Sequence, residues 1–184
     1  MRIIAGTWRG TALAAVGKGD AGAHLRPTSD RVRESLFSAL NSRNVIGGAH
    51  VLDLFAGTGA LGLEAVSRGA ASAVFVENGR VGQRLIKENI EKLRAQDQTK
   101  LMRNDATKLG AWPSDPFDLV FLDPPYGKSM GQTALTAAKA GGWLAPDATI
   151  VWEEALAMQA PPGFELLDQR RYGDTHVTIL QHLA

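Results

Sequence analysis

Four short stretches are almost continuously apolar: Val51–Phe55, Ala73–Glu77, Phe117–Asp123 and Thr149–Trp152. A strand with one solvated face alternates apolar and polar residues. A strand covered on both faces does not. Between these stretches lie segments with helical character. One runs from about Leu61 to Arg68 and is closed by Gly69. Arg80–Arg94 points Val81, Leu85, Ile86, Ile90 and Leu93 to one side, and Gly131–Ala140 is rich in alanine. A further strand is expected near Lys100–Arg103. Doubly buried strands that alternate with helices predict an α/β fold, a parallel sheet covered on both sides. Phe164–Tyr172 and Thr175–Leu183 flank Gly173-Asp174, which predicts a terminal antiparallel hairpin. At 184 residues the chain fits one domain.

The first 48 residues differ from the rest. They predict a short strand near Arg2–Ala5, then turns, then a helix that starts around Arg26-Pro27-Thr28-Ser29-Asp30. Val32, Leu36, Phe37 and Leu40 line one face of that helix, with Arg31, Arg33 and Ser35 largely off it. Residues 1–50 hold seven Lys/Arg against three Asp/Glu, although the whole chain is only +1. This segment is therefore a basic N-terminal extension, either a phosphate-contact surface or a solvated face. Cysteine is absent, which excludes disulfides, thiolate metal sites and cysteine-based methyl transfer to carbon-5 of pyrimidines. The four histidines are scattered, and no metal site is expected. The N-terminal apolar run is broken at Arg9 and no segment has membrane-spanning length, so a cytoplasmic protein without membrane contact is expected.

Gly57-Thr58-Gly59-Ala60-Leu61-Gly62 matches G-x-G-x-x-G directly after a strand and before a helix, the context that gives the motif meaning. Glycines there let backbone amides approach a ligand. Glu77 ends the next strand, where a carboxylate can accept hydrogen bonds from ribose hydroxyls. This much fits a dinucleotide equally well. Asp53, four residues before Gly57, does not, because it would repel a pyrophosphate over the turn. It complements the ammonium group of S-adenosylmethionine. Asp105 ends the third strand, placed to accept from an adenine amino group; turn capping is the alternative role for both aspartates.

Asp123-Pro124-Pro125-Tyr126 follows the fourth strand. Two prolines stiffen the loop and remove two amide donors, leaving carbonyl acceptors free. Asp123 adds an acceptor and Tyr126 a flat ring. An exocyclic amine of a nucleobase is a weak nucleophile, because its lone pair is delocalised into the ring. Acceptors that hold its hydrogens favour a pyramidal, reactive geometry, while an aromatic ring fixes the plane of the base. The alternative is a rigid turn with a core tyrosine. A base inside a duplex cannot reach such a loop, so the substrate must be single-stranded, looped or flipped.

Asp53–Gly62, Glu77, Asp105 and Asp123–Tyr126 together resemble successive motifs of Rossmann-like class I methyltransferases. That resemblance implies a seven-stranded, mostly parallel sheet with an antiparallel C-terminal hairpin. Asp-Pro-Pro-Tyr is similar to the amino-methylating branch. Met1–Gly6, Arg26–Phe37 and Tyr172–Thr175 narrow the resemblance to the bacterial 16S rRNA guanine-N2 methyltransferases, over nearly the whole chain. Gly17–His24 looks like an insertion relative to that pattern.

The resemblance implies a single methyltransferase domain over residues 1–184, with 1–48 as its extension. Asp123, Pro124, Pro125 and Tyr126 would act on the substrate. Asp53, Phe55, Ala56, Gly57, Thr58, Gly59, Gly62, Glu77, Asn104, Asp105 and Ala106 would hold S-adenosylmethionine, leaving S-adenosylhomocysteine as product. Arg9, Arg26, Arg31 and Arg33 are candidates for RNA contact, the last three also for loop positioning, with helix solubility and local ion pairing, for instance with Asp30 or Glu34, as the competing role for Arg26, Arg31 and Arg33. Trp8, Arg170 and Arg171 are equally ambiguous between RNA contact and packing or solubility. The expected partner is 16S rRNA in an assembling 30S subunit, bound by a monomer. The rival readings are a DNA adenine-N6 methyltransferase, an NAD-dependent oxidoreductase and a non-catalytic RNA-binding assembly factor.

Overall fold

The computed structural model describes residues 1–20 and 25–184; residues 21–24 of the expected insertion lie outside the described residues. Its elements run in the order α1 (Asp30–Ser42), β1 (His50–Leu54), α2 (Ala60–Ser67), β2 (Ser72–Val76), α3 (Arg80–Leu93), β3 (Thr99–Met102), β4 (Phe117–Leu122), α4 (Met130–Ala140), β5 (Leu144–Glu154), β6 (Phe164–Tyr172) and β7 (Thr175–His182). They build one seven-stranded sheet of order β3-β2-β1-β4-β5-β7-β6. The first five strands in that order pair in parallel. β7 runs antiparallel to both β5 and β6, as the Gly173-Asp174 turn predicts.

The continuous apolar runs have the physical cause that their pattern implied. Val51, Phe75, Leu119, Phe121 and Val151 are buried on one face against α1, α2 and α3 residues such as Phe37, Leu63 and Ile86. Leu52, Val74, Val120, Leu122 and Ile150 alternate with them and are buried on the other face with Leu135, Trp143 and Trp152. The chain winds outward from β1 to β2 and β3, then returns to place β4 on the other side of β1. This reversal opens a crevice at the carboxyl ends of β1 and β4, where ligands bind in open α/β sheets.

Two elements differ from the sequence reading. β5 is longer than Thr149–Trp152. It pairs Phe117 with Leu144, slips its register, and continues to Glu154, which carries two acidic residues to the strand's end. The N-terminus forms a small hairpin with a single bridge, Arg2 to Ala12, in place of a strand. Its backbone amides are satisfied by α2: Ile4 and Ala5 donate to the Glu64 carboxylate at 2.9 and 3.1 Å, and Thr7 donates to the Ser67 carbonyl at 2.8 Å. Gly6, at φ +85°, passes so close to Ser67 that a Cβ would lie 1.8 Å from its carbonyl oxygen. Ser29 caps α1, accepting from the Val32 amide at 3.2 Å. Among the described residues no helix is long and apolar enough to cross a membrane.

Candidate active site

A cleft of about 790 Å³ opens at the carboxyl ends of β1, β2 and β4. Its volume suits a nucleoside-sized ligand. The β1–α2 loop forms one wall through Phe55, Ala56, Gly57 and Thr58, and Asp53, Glu77, Gly79 and Gly82 complete that half. The loop turns through three left-handed residues, Phe55, Gly57 and Gly59, at φ of 57°, 59° and 79°. Glu77 braces it: one carboxylate oxygen accepts from the Gly57 amide at 2.7 Å, the other from the Gly79 amide at 2.9 Å. Asn89 on α3 grips the same loop from behind, donating to the Thr58 carbonyl at 2.9 Å and accepting from the Ala14 amide at 2.7 Å.

Asp53 is 1% exposed and accepts from the Gly62 amide at 3.0 Å. Gly62 permits this approach, since a Cβ there would meet the Phe75 ring at 2.5 Å. Gly59 and Gly62 thus shape the loop from behind without lining the cleft. Asp105 stands apart. One of its oxygens accepts from both the amide and hydroxyl of Thr107, at 2.9 and 2.7 Å, and these bonds hold its pKa below the ordinary value. Asn104, Asp105 and Ala106 do not line the cleft, and Ala106 is buried in the core on the α4 side of the sheet.

The opposite wall is Asp123, Pro124, Pro125 and Tyr126, directly beyond β4. No donor among the described residues reaches the Asp123 carboxylate or the Pro124 carbonyl. Tyr126 is half-buried, and its hydroxyl pairs with Thr175 Oγ1 at 3.1 Å, which ties the ring to the β6–β7 hairpin. Arg26 lies over the ring, its guanidinium carbon 4.7 Å from the ring centre.

The electrostatics are dominated by carboxylates. β4 and β5 pair Leu122 with Trp152, so Asp123 and Glu153 are neighbours at the adjoining strand ends. Glu153 is 3% exposed and accepts from the Thr28 hydroxyl at 3.2 Å to each oxygen. Burial pushes its pKa up to about 7, against the opposing Thr28 bond. Burial also raises Asp123 well above the ordinary carboxylate range, with the charges of Glu153 and Asp53 adding and Arg26 opposing. Asp53 is raised by burial, opposed by the Gly62 amide and reinforced by Glu77 and Glu153. Three acids thus share one enclosed region with little countercharge. Among the described residues no group could hold a metal ion.

The structure corrects the reading of Arg33. Its side chain is fully buried. One nitrogen binds Glu64 at 3.2 Å, and another binds Asp30 and donates to the Arg2 carbonyl at 2.7 Å. Arg68 binds the other Glu64 oxygen at 2.8 Å. Arg33 is therefore an internal ion-pair residue and presents nothing to a nucleic acid. Arg9 and Arg31 are exposed, Arg31 in a shallow groove with Arg170, while Arg26 is in the cleft. The sequence reading missed Glu153, Glu64 and Asn89. Two acids immediately after an apolar run, Glu153-Glu154, were the available signal for the first.

The family described as conserved hypothetical protein 95 matches residues 1–181. The chain belongs to this family. Ribosomal RNA small subunit methyltransferase D from Escherichia coli K12 is 41% identical over 162 residues, covering 88% of this chain and 78% of that protein. The protein of the same name from Haemophilus influenzae is 33% identical over 99% of this chain and 94% of its own length. The solved structure of yhhF from Escherichia coli matches with a TM-score of 0.84 at 35% identity, covering 100% of this chain and 98% of that one. The methyltransferase class and the Rossmann-like fold follow from these matches.

Proposed function

We propose that this methyltransferase moves a methyl group from S-adenosylmethionine to the exocyclic N2 amine of a guanine in 16S rRNA. The observation that carries the reading is the Asp123–Tyr126 loop, which places unengaged acceptors beside a fixed aromatic ring and faces the glycine loop across one cleft. The names of the relatives supply the class of RNA. An assembling 30S subunit as substrate, a monomeric enzyme and a cytoplasmic setting belong to the same proposal.

The cleft suits this cofactor by its donor set. Asp53 and Glu77 offer acceptors to an ammonium and to ribose hydroxyls, Gly57 permits close backbone approach, and the wall carries a carboxylate where a pyrophosphate would be repelled. Asn104 and Asp105 fall outside the cleft lining, so their proposed part at the adenine end rests on their strand-end position in the sequence alone. The cofactor supplies an electrophilic methyl on a sulfonium that needs no further activation. The protein's work is then positional. Asp123 and the Pro124 carbonyl hold the amine hydrogens, and Tyr126 sets the plane of the base. Asp123 takes up the proton that the alkylated amine releases. Its raised pKa makes it a stronger base than an exposed aspartate.

The test is transfer of labelled methyl to undermethylated 30S subunits, naked 16S rRNA and DNA, followed by nucleoside analysis. Label in N2-methylguanosine is expected. Label confined to DNA N6-methyladenine would keep the chemistry and overturn the substrate. Asp123→Ala is expected to bind S-adenosylhomocysteine normally and to lose roughly 100-fold or more in turnover. Retained turnover would remove Asp123 from the mechanism.

A further inference from the structure

We propose that Arg26 and Tyr126 are the two jaws of a clamp that stacks the target base between guanidinium and phenol ring, with the Thr28–Glu153 hydrogen bond anchoring the Arg26 jaw to β5. This inference rests on the reading of the cleft as a base-methylating site.

Tyr126 is the immobile jaw. Its hydroxyl is tied to Thr175, and Pro124 and Pro125 stiffen the chain before it. Arg26 is the movable one. It is exposed, sits over the ring with its guanidinium carbon 4.7 Å from the ring centre, and has no carboxylate partner among the described residues. A guanidinium stacks on an aromatic face as a planar group, so a base can replace the ring beneath it with little change in contact. Two stacked contacts need about 3.5 Å each, or roughly 7 Å between the jaws. The guanidinium must therefore rise by about 2 Å to admit a base. That distance is within the reach of its own side chain while the backbone stays fixed two residues later. The fixed point is Thr28, whose hydroxyl meets both Glu153 oxygens at 3.2 Å. Glu153 adjoins Asp123 across the β4–β5 pairing, so the anchor and the amine acceptor occupy neighbouring strand ends. The base would be held on both faces with its amine directed at Asp123.

A clamp and a simple phosphate contact make opposite predictions for Arg26→Lys. Lysine keeps the charge and loses the planar stack. Methyl transfer to undermethylated 30S subunits should fall about tenfold or more in kcat/KM for both Arg26→Lys and Arg26→Ala. S-adenosylhomocysteine affinity should stay unchanged. The salt slope of 16S rRNA binding should also be unaltered, because no phosphate contact is lost. Thr28→Val should lower kcat/KM in the same direction, and Thr28→Ser should restore it. Wild-type turnover by Arg26→Lys would overturn the clamp, as would a fall of about 0.7 in the salt slope for Arg26→Ala. Wild-type protein that methylates no nucleic acid would overturn the underlying reading of the site instead.

Discussion

Glu153→Gln isolates the cost of keeping a carboxylate in this cleft. Glu153 is 3% exposed, and its carboxylate accepts only from the Thr28 hydroxyl among the described residues. Its pKa rises from the ordinary 4.5 to about 7 in the folded chain. Between about pH 4.5 and 7 the folded protein therefore retains a proton that the unfolded chain has released. The sign follows from linkage: the stabilising contribution is complete below about 4.5 and is lost as pH rises through 7. Integrated from about pH 5 to about pH 8, those two values correspond to a loss of about 2–3 kcal/mol. Glutamine keeps the size and an acceptor for Thr28 but does not titrate. Asp53 and Asp123 titrate in both proteins, but in the variant each loses the Glu153 charge that helps to raise it. Removing the Glu153 charge also relieves Asp123, which acts in the same direction. Urea unfolding of both proteins at each pH reads the difference directly. The variant should gain about 2–3 kcal/mol relative to wild type between the two pH values. A gap that does not change with pH would refute the assignment of a buried, proton-holding carboxylate.

Two further substitutions test the frame around the site. Arg33→Ala should cost about 3–5 kcal/mol by chemical denaturation, since it leaves Glu64 buried with only Arg68 as countercharge, and the salt slope of RNA binding should not move. Gly62→Ala places a methyl 2.5 Å from the Phe75 ring and 3.2 Å from an Asp53 oxygen. It should destabilise the fold by about 1–3 kcal/mol and weaken S-adenosylhomocysteine binding, measured by calorimetry.

Much of the fold was legible because its strands advertise their burial. Apolar runs without alternation, separated by helical periods, leave few architectures open, and the G-x-G-x-x-G loop marks where the crevice lies. The Asp123–Tyr126 wall of the cleft was legible as a rigid loop because Asp-Pro-Pro-Tyr stiffens itself locally. What escaped was non-local. Arg33 precedes Leu36, Phe37 and Leu40 by three, four and seven residues, which sets it on the buried face of α1. Its charge argued for solvent, and the partner that reconciles charge with burial, Glu64, is 31 positions away. The full length of β5 was hidden by Ala145-Pro146-Asp147, which interrupts the apolar run where the strand pairing slips. Asp105 shows the reverse: the strand-end position was readable, but its close engagement with Thr107 depends on the local turn.

The basic extension has a different significance once its charges are placed. Of its seven cations, Arg33 is internal, Arg2 faces Asp30 and Arg43 faces Asp168. Arg9, Lys18, Arg26 and Arg31 have no carboxylate partner among the described residues. The segment therefore spends part of its charge on folding. The same segment is bonded to α2 through Glu64 and Ser67, to α3 through Asn89 and to β5 through Thr28. α2 begins at the glycine loop and Asn89 holds that loop's Thr58 carbonyl. Glycine loop and extension are thus one hydrogen-bonded unit, which reaches β5 beside Asp123 through the Thr28–Glu153 bond. Under the proposed clamp, a base that displaces Arg26 from Tyr126 pulls on a segment that also supports the glycine loop, a physical route that would couple base binding to the cofactor half of the cleft.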